Sequence, residues 1–268
     1  MRMLDCFFAK YMPTETKPTC SNEEMDDLES MLEPFVLFSL TWSVGGTTTL
    51  EGRKKFDSKL RELMGKESRF KYPDNGSCYN YLFKQDSKEW LHWNFLNTTP
   101  YSIDTKLAYA EIIVPTFDSI RYKYVKKMLL ENRKHVLCPG PTGTGKTVNI
   151  SSLLNQEMPE EFSAIPIMFS AQTSANQTQD TLDEKFEKRR KGVFGPPTGK
   201  KFVLFIDDLN MPKKEEYGAQ PPIELIRQWM DHGGWYDLKT KEKEFKEIVD
   251  IIFCSAMGPP GGGRSSLT

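Results

Sequence analysis

The stretch Gly140-Pro141-Thr142-Gly143-Thr144-Gly145-Lys146-Thr147 decides the fold class of this 268-residue chain. It matches the phosphate-binding loop pattern G-x-x-x-x-G-K-[ST] at every fixed position. An apolar segment typical of a strand, 136–138, precedes it, and a segment that can be helical, 148–154, follows it. The fixed positions alone would match by chance in roughly one chain of this length in a hundred. The sequence therefore predicts a nucleotide-binding P-loop with the expected strand before it and helix after it.

The residue types in this loop suit the chemistry of a triphosphate. Gly140, Gly143 and Gly145 let the backbone curve around phosphate oxygens and direct its N–H groups at them, beside the positive end of the following helix. Lys146 would neutralise the β- and γ-phosphates, and the Thr147 hydroxyl would be a ligand of Mg²⁺. The predicted nucleotide-binding residues of the loop are Gly140, Pro141, Thr142, Gly143, Thr144, Gly145, Lys146 and Thr147.

A second motif lies where the apolar run 202–206 ends in Asp207 and Asp208. Asp207 is predicted to hold Mg²⁺ together with Thr147, the Walker B role. Asp208 occupies the position at which a hydrolytic NTPase usually has a glutamate that orients the attacking water, so it is the candidate catalytic residue. Its side chain is one methylene shorter, and a misplacement of about 1 Å can cost on the order of 10²-fold in rate. A turn at the end of a strand is the alternative interpretation of two adjacent aspartates.

The segments around these motifs alternate between strand-like and helix-like patterns. This alternation predicts a parallel sheet covered by helices on both faces. The charged run 183–191 is expected to be the solvated end of a helix rather than a binding patch. The predicted strands are 135–138, 165–170, 202–207 and 248–255, and the predicted helices are 146–154, 173–191 and 222–232.

Residues 1 to about 70 are predicted to be mainly helical. Ser21 and Glu24 have the spacing of a capping box, and Pro34 predicts either a kink or the start of a second helix. Gly45-Gly46 are expected to end the helix in a left-handed conformation, and Gly65 is expected to end a further helix over 50–64. The aromatic segments 79–83 and 90–93 then predict a β-hairpin, with a base- or sugar-binding surface as the alternative.

Composition and charge exclude several classes of protein. The chain has 36 Lys and Arg against 37 Asp and Glu, a formal net charge of −1, so no nucleic-acid partner is expected. No apolar run approaches the roughly 20 residues of a membrane-spanning helix, and no membrane partner is expected. The N-terminus has no apolar segment of signal-peptide length. The five cysteines include no Cys-x-x-Cys pair and the three histidines have no ligand spacing, which argues against a disulfide framework or a zinc site and favours the cytosol.

Several motifs together resemble the dynein heavy chain, at the third AAA+ module of its axonemal branch. Residues 1 to about 100 resemble the end of the preceding, second module, so the resemblance covers nearly the whole chain. The motifs that carry it are the P-loop, Phe205-Ile206-Asp207-Asp208-Leu209-Asn210-Met211-Pro212, Tyr217-Gly218-Ala219-Gln220-Pro221-Pro222 and Gly258-Pro259-Pro260-Gly261-Gly262-Gly263-Arg264, supported by the segments 41–46, 170–173 and 192–197.

The resemblance implies an α/β fold: a P-loop AAA+ large subdomain with a parallel sheet over residues 110–268, preceded over 1–109 by a mainly helical small subdomain with a β-hairpin. It implies ATP or ADP and Mg²⁺ as ligands, with Val114, Pro115 and Thr116 near the adenine. It also implies partners reached through a parent heavy chain: its other AAA+ modules, intermediate and light chains, and microtubules. The implied location is the cytoplasm and cytoskeleton, in the axoneme of a cilium.

The sequence departs from the general AAA+ pattern in ways that predict little hydrolysis. Asp208 replaces the usual glutamate, and Ser255 is only a weak candidate for the polar sensor at the end of its strand. The chain is expected to stop before the fifth strand and the helical lid. A ring ATPase takes its arginine finger from the neighbouring AAA+ module, and such a finger contributes a factor of about 10³–10⁵ to the rate of hydrolysis. We therefore expect a regulatory ATP-binding segment. The alternative is a structural or assembly module in which nucleotide only stabilises the fold; a nucleotide kinase would need an acceptor-binding lid, for which the sequence has no candidate.

Overall fold

A computed structural model describes residues 2–13, 19–65, 68–96, 112–237, 239 and 241–267. The chain divides into two compact units, Met1–Met128 and Leu129–Thr268. The predicted domain boundary at 109 and 110 lies outside the described residues. Among the described residues, no helix combines the length and the apolar character needed to cross a membrane.

The first unit contains helices, short 3₁₀ turns and one hairpin. Helix α2 (Asn22–Ser43) begins at the predicted capping box: the Ser21 Oγ accepts a hydrogen bond from the Glu24 N–H at 3.3 Å, and the Glu24 carboxylate accepts one from the Ser21 N–H at 3.0 Å. The elements are α1 (Arg2–Phe8), α2 (Asn22–Ser43), α3 (Leu50–Met64), β1 (Tyr81–Lys84), β2 (Glu89–His92) and α4 (Phe117–Glu131), the last of which continues into the second unit.

We expect Ser21→Ala to lower the free energy of unfolding by about 1 kcal/mol, because the Glu24 N–H at the start of α2 loses its side-chain acceptor. The matched control is Ser58→Ala, an exposed position inside α3, where alanine is the better helix former and stability should stay equal or rise slightly. Urea denaturation of both variants measures the difference. Equal stability changes in the two variants would contradict the capping role.

For α2, the alternative of a second helix that starts at Pro34 is excluded, and the left-handed end predicted at Gly45-Gly46 is wrong. One continuous helix runs through Pro34, so no second helix begins there; the residues that follow, Phe35 and Phe38, are buried, and their packing outweighs the hydrogen bond that proline removes. Gly45 and Gly46 do not adopt a left-handed conformation but belong to a 3₁₀ turn. Gly45 instead meets a packing need, because a Cβ there would collide with the side chains of Tyr79 and Phe56.

The predicted hairpin is confirmed, and its aromatic side chains form a core. β1 and β2 are antiparallel, with Tyr81 opposite His92, and the residues before and after them form 3₁₀ turns rather than strand. Trp93 is fully buried, and its indole N–H donates a 2.9 Å hydrogen bond to the Tyr79 carbonyl. These contacts favour the structural interpretation of the aromatic cluster over a base- or sugar-binding surface.

The second unit is built on a four-stranded parallel sheet, which confirms the predicted fold class. Its elements are β3 (Val136–Pro139), α5 (Lys146–Gln156), β4 (Phe162–Met168), α6 (Ala175–Asp183), β7 (Lys201–Asp207), α7 (Pro221–His232) and β10 (Ile251–Met257). The strand order is β3-β10-β7-β4. Residues of the central strand β7 alternate between two cores: Leu204 and Ile206 pack with residues of α6 and α7, whereas Val203 and Phe205 pack with residues of α5.

A second, mixed sheet corrects two predicted boundaries. The helix predicted over 173–191 ends at Asp183, and Glu187–Arg190 is a strand, β5. It forms a hairpin with β6 (Val193–Gly195) through the left-handed Gly192, and the sheet continues with β9 (Phe245–Ile248) and β8 (Gly234–Tyr236) in the order β5-β6-β9-β8. The predicted strand 248–255 is divided between β9 and β10, because Asp250 is left-handed with φ 57°.

The part of the charged run at Glu187–Arg190 is strand and not helix, because β6 supplies hydrogen-bond partners for its backbone. The Arg189 guanidinium also donates hydrogen bonds to the carbonyls of Pro196, at 2.6 Å, and Pro197, at 3.2 Å. Helix propensity is a weak preference that such tertiary contacts override.

Candidate nucleotide-binding site

The candidate site lies at the carboxyl end of the parallel sheet. Because all four strands are parallel, the segments that follow β3, β7 and β10 leave the sheet at the same edge, where ligands of open α/β sheets bind. The Gly140 N–H donates a 3.1 Å hydrogen bond to the carbonyl of Met257, the last residue of β10. The loop predicted to bind phosphate is therefore attached to the end of the neighbouring strand.

Two glycines give the loop its curvature. Gly143 and Gly145 have left-handed backbones with φ 78° and 72°, and nothing lies within 4 Å of the place a Cβ would occupy on either residue. Glycine is favoured here by conformation and not by crowding, since a left-handed backbone costs other residues roughly 1–2 kcal/mol. Gly145 is also the N-cap of α5 and forms no side-chain cap. The first N–H groups of α5 thus lack partners within the helix and can face an anion.

Lys146 folds back over the loop that precedes it. Its Nζ donates hydrogen bonds to the carbonyls of Gly140 and Pro141, both at 2.7 Å. The Thr144 hydroxyl donates to the same Pro141 carbonyl at 2.9 Å. The ammonium group is therefore held within the loop, at the place where phosphate charge would need neutralising.

The two predicted Mg²⁺ ligands are in contact. The Thr147 hydroxyl donates a 2.7 Å hydrogen bond to Oδ2 of Asp207, although the residues are 60 positions apart in sequence. A hydroxyl and a carboxylate are hard oxygen donors, the type that Mg²⁺ prefers. The donor set therefore fits Mg²⁺ at this position. In the described parts of the chain, no cluster of three or more His, Cys, Asp or Glu side chains offers a metal site made by protein alone.

Asp208, the candidate catalytic residue, has an unusual backbone and a cationic partner. Its φ is 52°, in the left-handed region that few non-glycine residues adopt and that is common at functional sites. Its N–H donates to Oδ1 of Asp207 at 3.0 Å. Its own Oδ1 accepts hydrogen bonds from the Arg264 guanidinium, from Nε at 3.3 Å and Nη2 at 3.1 Å.

Sequence reasoning did not identify Arg264 as part of the site. The only local signal was an arginine that ends the glycine-rich segment 258–264. The pairing with Asp208 is visible only in the folded chain, because 56 positions separate the two residues.

The remaining predicted residues are the three proposed for adenine, Val114, Pro115 and Thr116, and the weak sensor candidate Ser255. Val114, Pro115 and Thr116 belong to the first unit, where Thr116 Oγ1 accepts a hydrogen bond from the Ser119 N–H at the start of α4. Their proximity to adenine stays a prediction. Ser255 is 6% exposed and lies inside β10, opposite Ile206 of β7 and Leu137 of β3.

Comparisons with known proteins match both parts of the chain. The model of the P-loop containing dynein motor region matches residues 101–268, and that of the dynein heavy chain AAA lid domain matches residues 1–95. Dynein axonemal heavy chain 1 of Mus musculus and that of Homo sapiens are each 46% identical to this chain over 285 residues, which cover 100% of this chain and 7% of the relative. Dynein axonemal heavy chain 12 of Homo sapiens is 42% identical over 275 residues, covering 97% of this chain and 9% of its own length.

Proposed function

Because this chain belongs to the dynein heavy-chain family, we propose that it is the ATP-binding segment of an axonemal heavy chain that corresponds to the regulatory third AAA+ module. The observation that carries the proposal is the contact between Thr147 and Asp207 beside a complete P-loop. It joins the strand-end carboxylate to the hydroxyl at the start of α5, as a site for a metal-bound triphosphate requires.

The residues of this chain have separate tasks in the proposed site. The loop backbone and the start of α5 bind phosphate oxygens, and the Lys146 ammonium pairs with the β- and γ-phosphates. Thr147 and Asp207 hold Mg²⁺, which when bound neutralises charge on the phosphates. When nucleotide binds, the Lys146 ammonium would exchange its hydrogen bonds to the loop carbonyls for hydrogen bonds to phosphate oxygens. It would move only a short distance, because it already lies inside the loop.

We propose that turnover by this segment is weak. The short carboxylate of Asp208 is retracted relative to a glutamate, and it already accepts two hydrogen bonds from Arg264. A carboxylate in this state is a poor orienting group for a water molecule. Binding, rather than rapid hydrolysis, is the activity that the geometry supports.

At the level of the parent protein, we propose a microtubule-based motor of the ciliary axoneme. The chain spans less than a tenth of the length of the curated relatives it matches, so the motor activity would belong to the longer heavy chain. Its partners would be the other AAA+ modules, intermediate and light chains, and microtubules. The proposal rests on relatives that are named axonemal heavy chains.

Calorimetric titration of the 268-residue chain with ATP and with ADP, each with and without Mg²⁺, tests the proposal. We expect Mg²⁺–ATP to bind about tenfold more tightly than Mg²⁺–ADP, the value of one charge-assisted contact to the γ-phosphate. Equal affinity for the two nucleotides would mean that the γ-phosphate shifts no equilibrium and would favour the structural or assembly module. Absence of binding by both nucleotides would contradict both functions.

A further inference from the structure

We propose that Arg264 is a positioning residue that restrains ATP hydrolysis by holding the Asp208 carboxylate in an ion pair. This inference rests on the proposed function, since it concerns the same site. It adds a regulatory role for a residue that lies in a different loop from the P-loop and the aspartate pair.

The ion pair engages the carboxylate that hydrolysis would need. Both Nε and Nη2 of Arg264 donate to one oxygen of Asp208, Oδ1. The Arg264 and Asp208 side chains are only 22% and 33% exposed, so solvent screens this pair less than an exposed one. A carboxylate that shares its charge with a guanidinium accepts a hydrogen bond from water less strongly. The contact therefore opposes the water-orienting role of Asp208.

The loop that carries Arg264 is held by its own hydrogen bonds. Gly261 and Arg264 exchange backbone hydrogen bonds, with N···O distances of 2.9 and 3.1 Å. The buried Asn210 amide donates to the carbonyls of Gly258, at 2.8 Å, and Ser265, at 3.0 Å, which are the two ends of the loop. The Ser265 N–H in turn donates to the Asn210 carbonyl at 2.9 Å. The segment just after Asp208 thus fixes the loop that returns Arg264 to Asp208.

Gly258 leaves room for the Arg264 side chain in this position. A Cβ at residue 258 would lie 2.7 Å from both Cδ and Nε of Arg264, closer than real Cβ contacts. The side chain of Arg264 would have to shift, and we expect its two hydrogen bonds to Asp208 to be weakened or lost. Gly258→Ala therefore displaces the guanidinium while keeping it in the protein, which separates loss of position from loss of charge.

The restraint is connected to the metal site through adjacent contacts. Arg264 binds Asp208, the Asp208 N–H binds the Asp207 carboxylate, and that carboxylate accepts the Thr147 hydroxyl. A change at the loop 258–264 can thus alter the hydrogen bonds of the Asp208 carboxylate without removing any group that is proposed to bind the phosphates. The structure points to this loop as the place where hydrolysis would be adjusted independently of binding.

The test compares Arg264→Gln and Gly258→Ala with the unaltered 268-residue chain, each alone and combined with Asp208→Asn. Single-turnover hydrolysis of Mg²⁺–ATP is expected to rise about three- to fivefold in both variants, as loss of a partly screened ion pair allows. The rise in hydrolysis rate should be absent when either variant is combined with Asp208→Asn. Arg264→Lys keeps the positive charge, so its rate should stay close to that of the unaltered chain. The matched control is Arg190→Gln, on the exposed strand β5, which should leave the rate unchanged.

A second readout needs no nucleotide. In the ligand-free chain, the melting-temperature changes of Arg264→Gln and Asp208→Asn should be non-additive, because both remove one interaction. Additive changes, or a rate that stays constant or falls in both Arg264→Gln and Gly258→Ala, would overturn the inference. ATP affinity, measured on the same samples, separates the two proposals: tight binding without a faster variant defeats only the restraint, whereas loss of binding by the unaltered chain defeats the proposed function.

Discussion

Lys146→Ala is expected to abolish the rise in melting temperature that Mg²⁺–ATP produces and to weaken ATP binding by about 100-fold. The ammonium group lies within the P-loop, 2.7 Å from the carbonyl oxygens of Gly140 and Pro141. Its removal deletes the one cationic side chain of the loop, and charge-assisted hydrogen bonds contribute about 1.5–3 kcal/mol each. Melting curves with and without Mg²⁺–ATP, together with calorimetric dissociation constants, measure the loss.

The matched control for this prediction is Lys188→Ala, which removes an equal charge from the exposed face of β5. It should keep the full ATP-dependent shift. The ligand-free melting temperature of Lys146→Ala must be recorded as well, because the variant also loses two hydrogen bonds to loop carbonyls. An ATP-dependent shift in Lys146→Ala as large as in the unaltered chain would exclude the P-loop as the nucleotide site.

Asp207→Asn is expected to raise the Mg²⁺ concentration needed for ATP binding by about ten- to a hundredfold. The substitution keeps the shape of the side chain and an oxygen that can accept the Thr147 hydroxyl, now 2.7 Å from Oδ2. It removes the negative charge that favours a divalent cation. Titration of Mg²⁺ at a fixed ATP concentration, followed by melting temperature, measures the shift.

Asp231→Asn, on an exposed position of α7, provides the charge-matched control and should leave the Mg²⁺ titration unchanged. The affinity for ATP in the absence of Mg²⁺ should be equal or slightly higher in Asp207→Asn, because a negative charge near the phosphates is gone. An identical Mg²⁺ titration in Asp207→Asn and the unaltered chain would remove Asp207 from the metal site.

Features encoded by neighbouring residues were predictable from the sequence. The P-loop, the capping box at Ser21 and the helix over Leu50–Met64 depend on backbone preferences and hydrogen bonds that span a few positions. The parallel sheet followed from apolar strands that alternate with helices. The pairing of Asp207 with the P-loop was also predictable, because carboxyl ends of parallel strands meet at one edge of the sheet.

Features that depend on distant partners were decided only by the tertiary structure. The segment Glu187–Arg190 of the charged run is a strand because β6 pairs with it. Helix α2 continues through Pro34 because the apolar residues that follow the proline are buried. The contact between Asp208 and Arg264 joins two loops that follow different strands. Local sequence determines what a segment can form, whereas pairing across the fold determines which of those conformations, and which side-chain partners, have the lowest free energy.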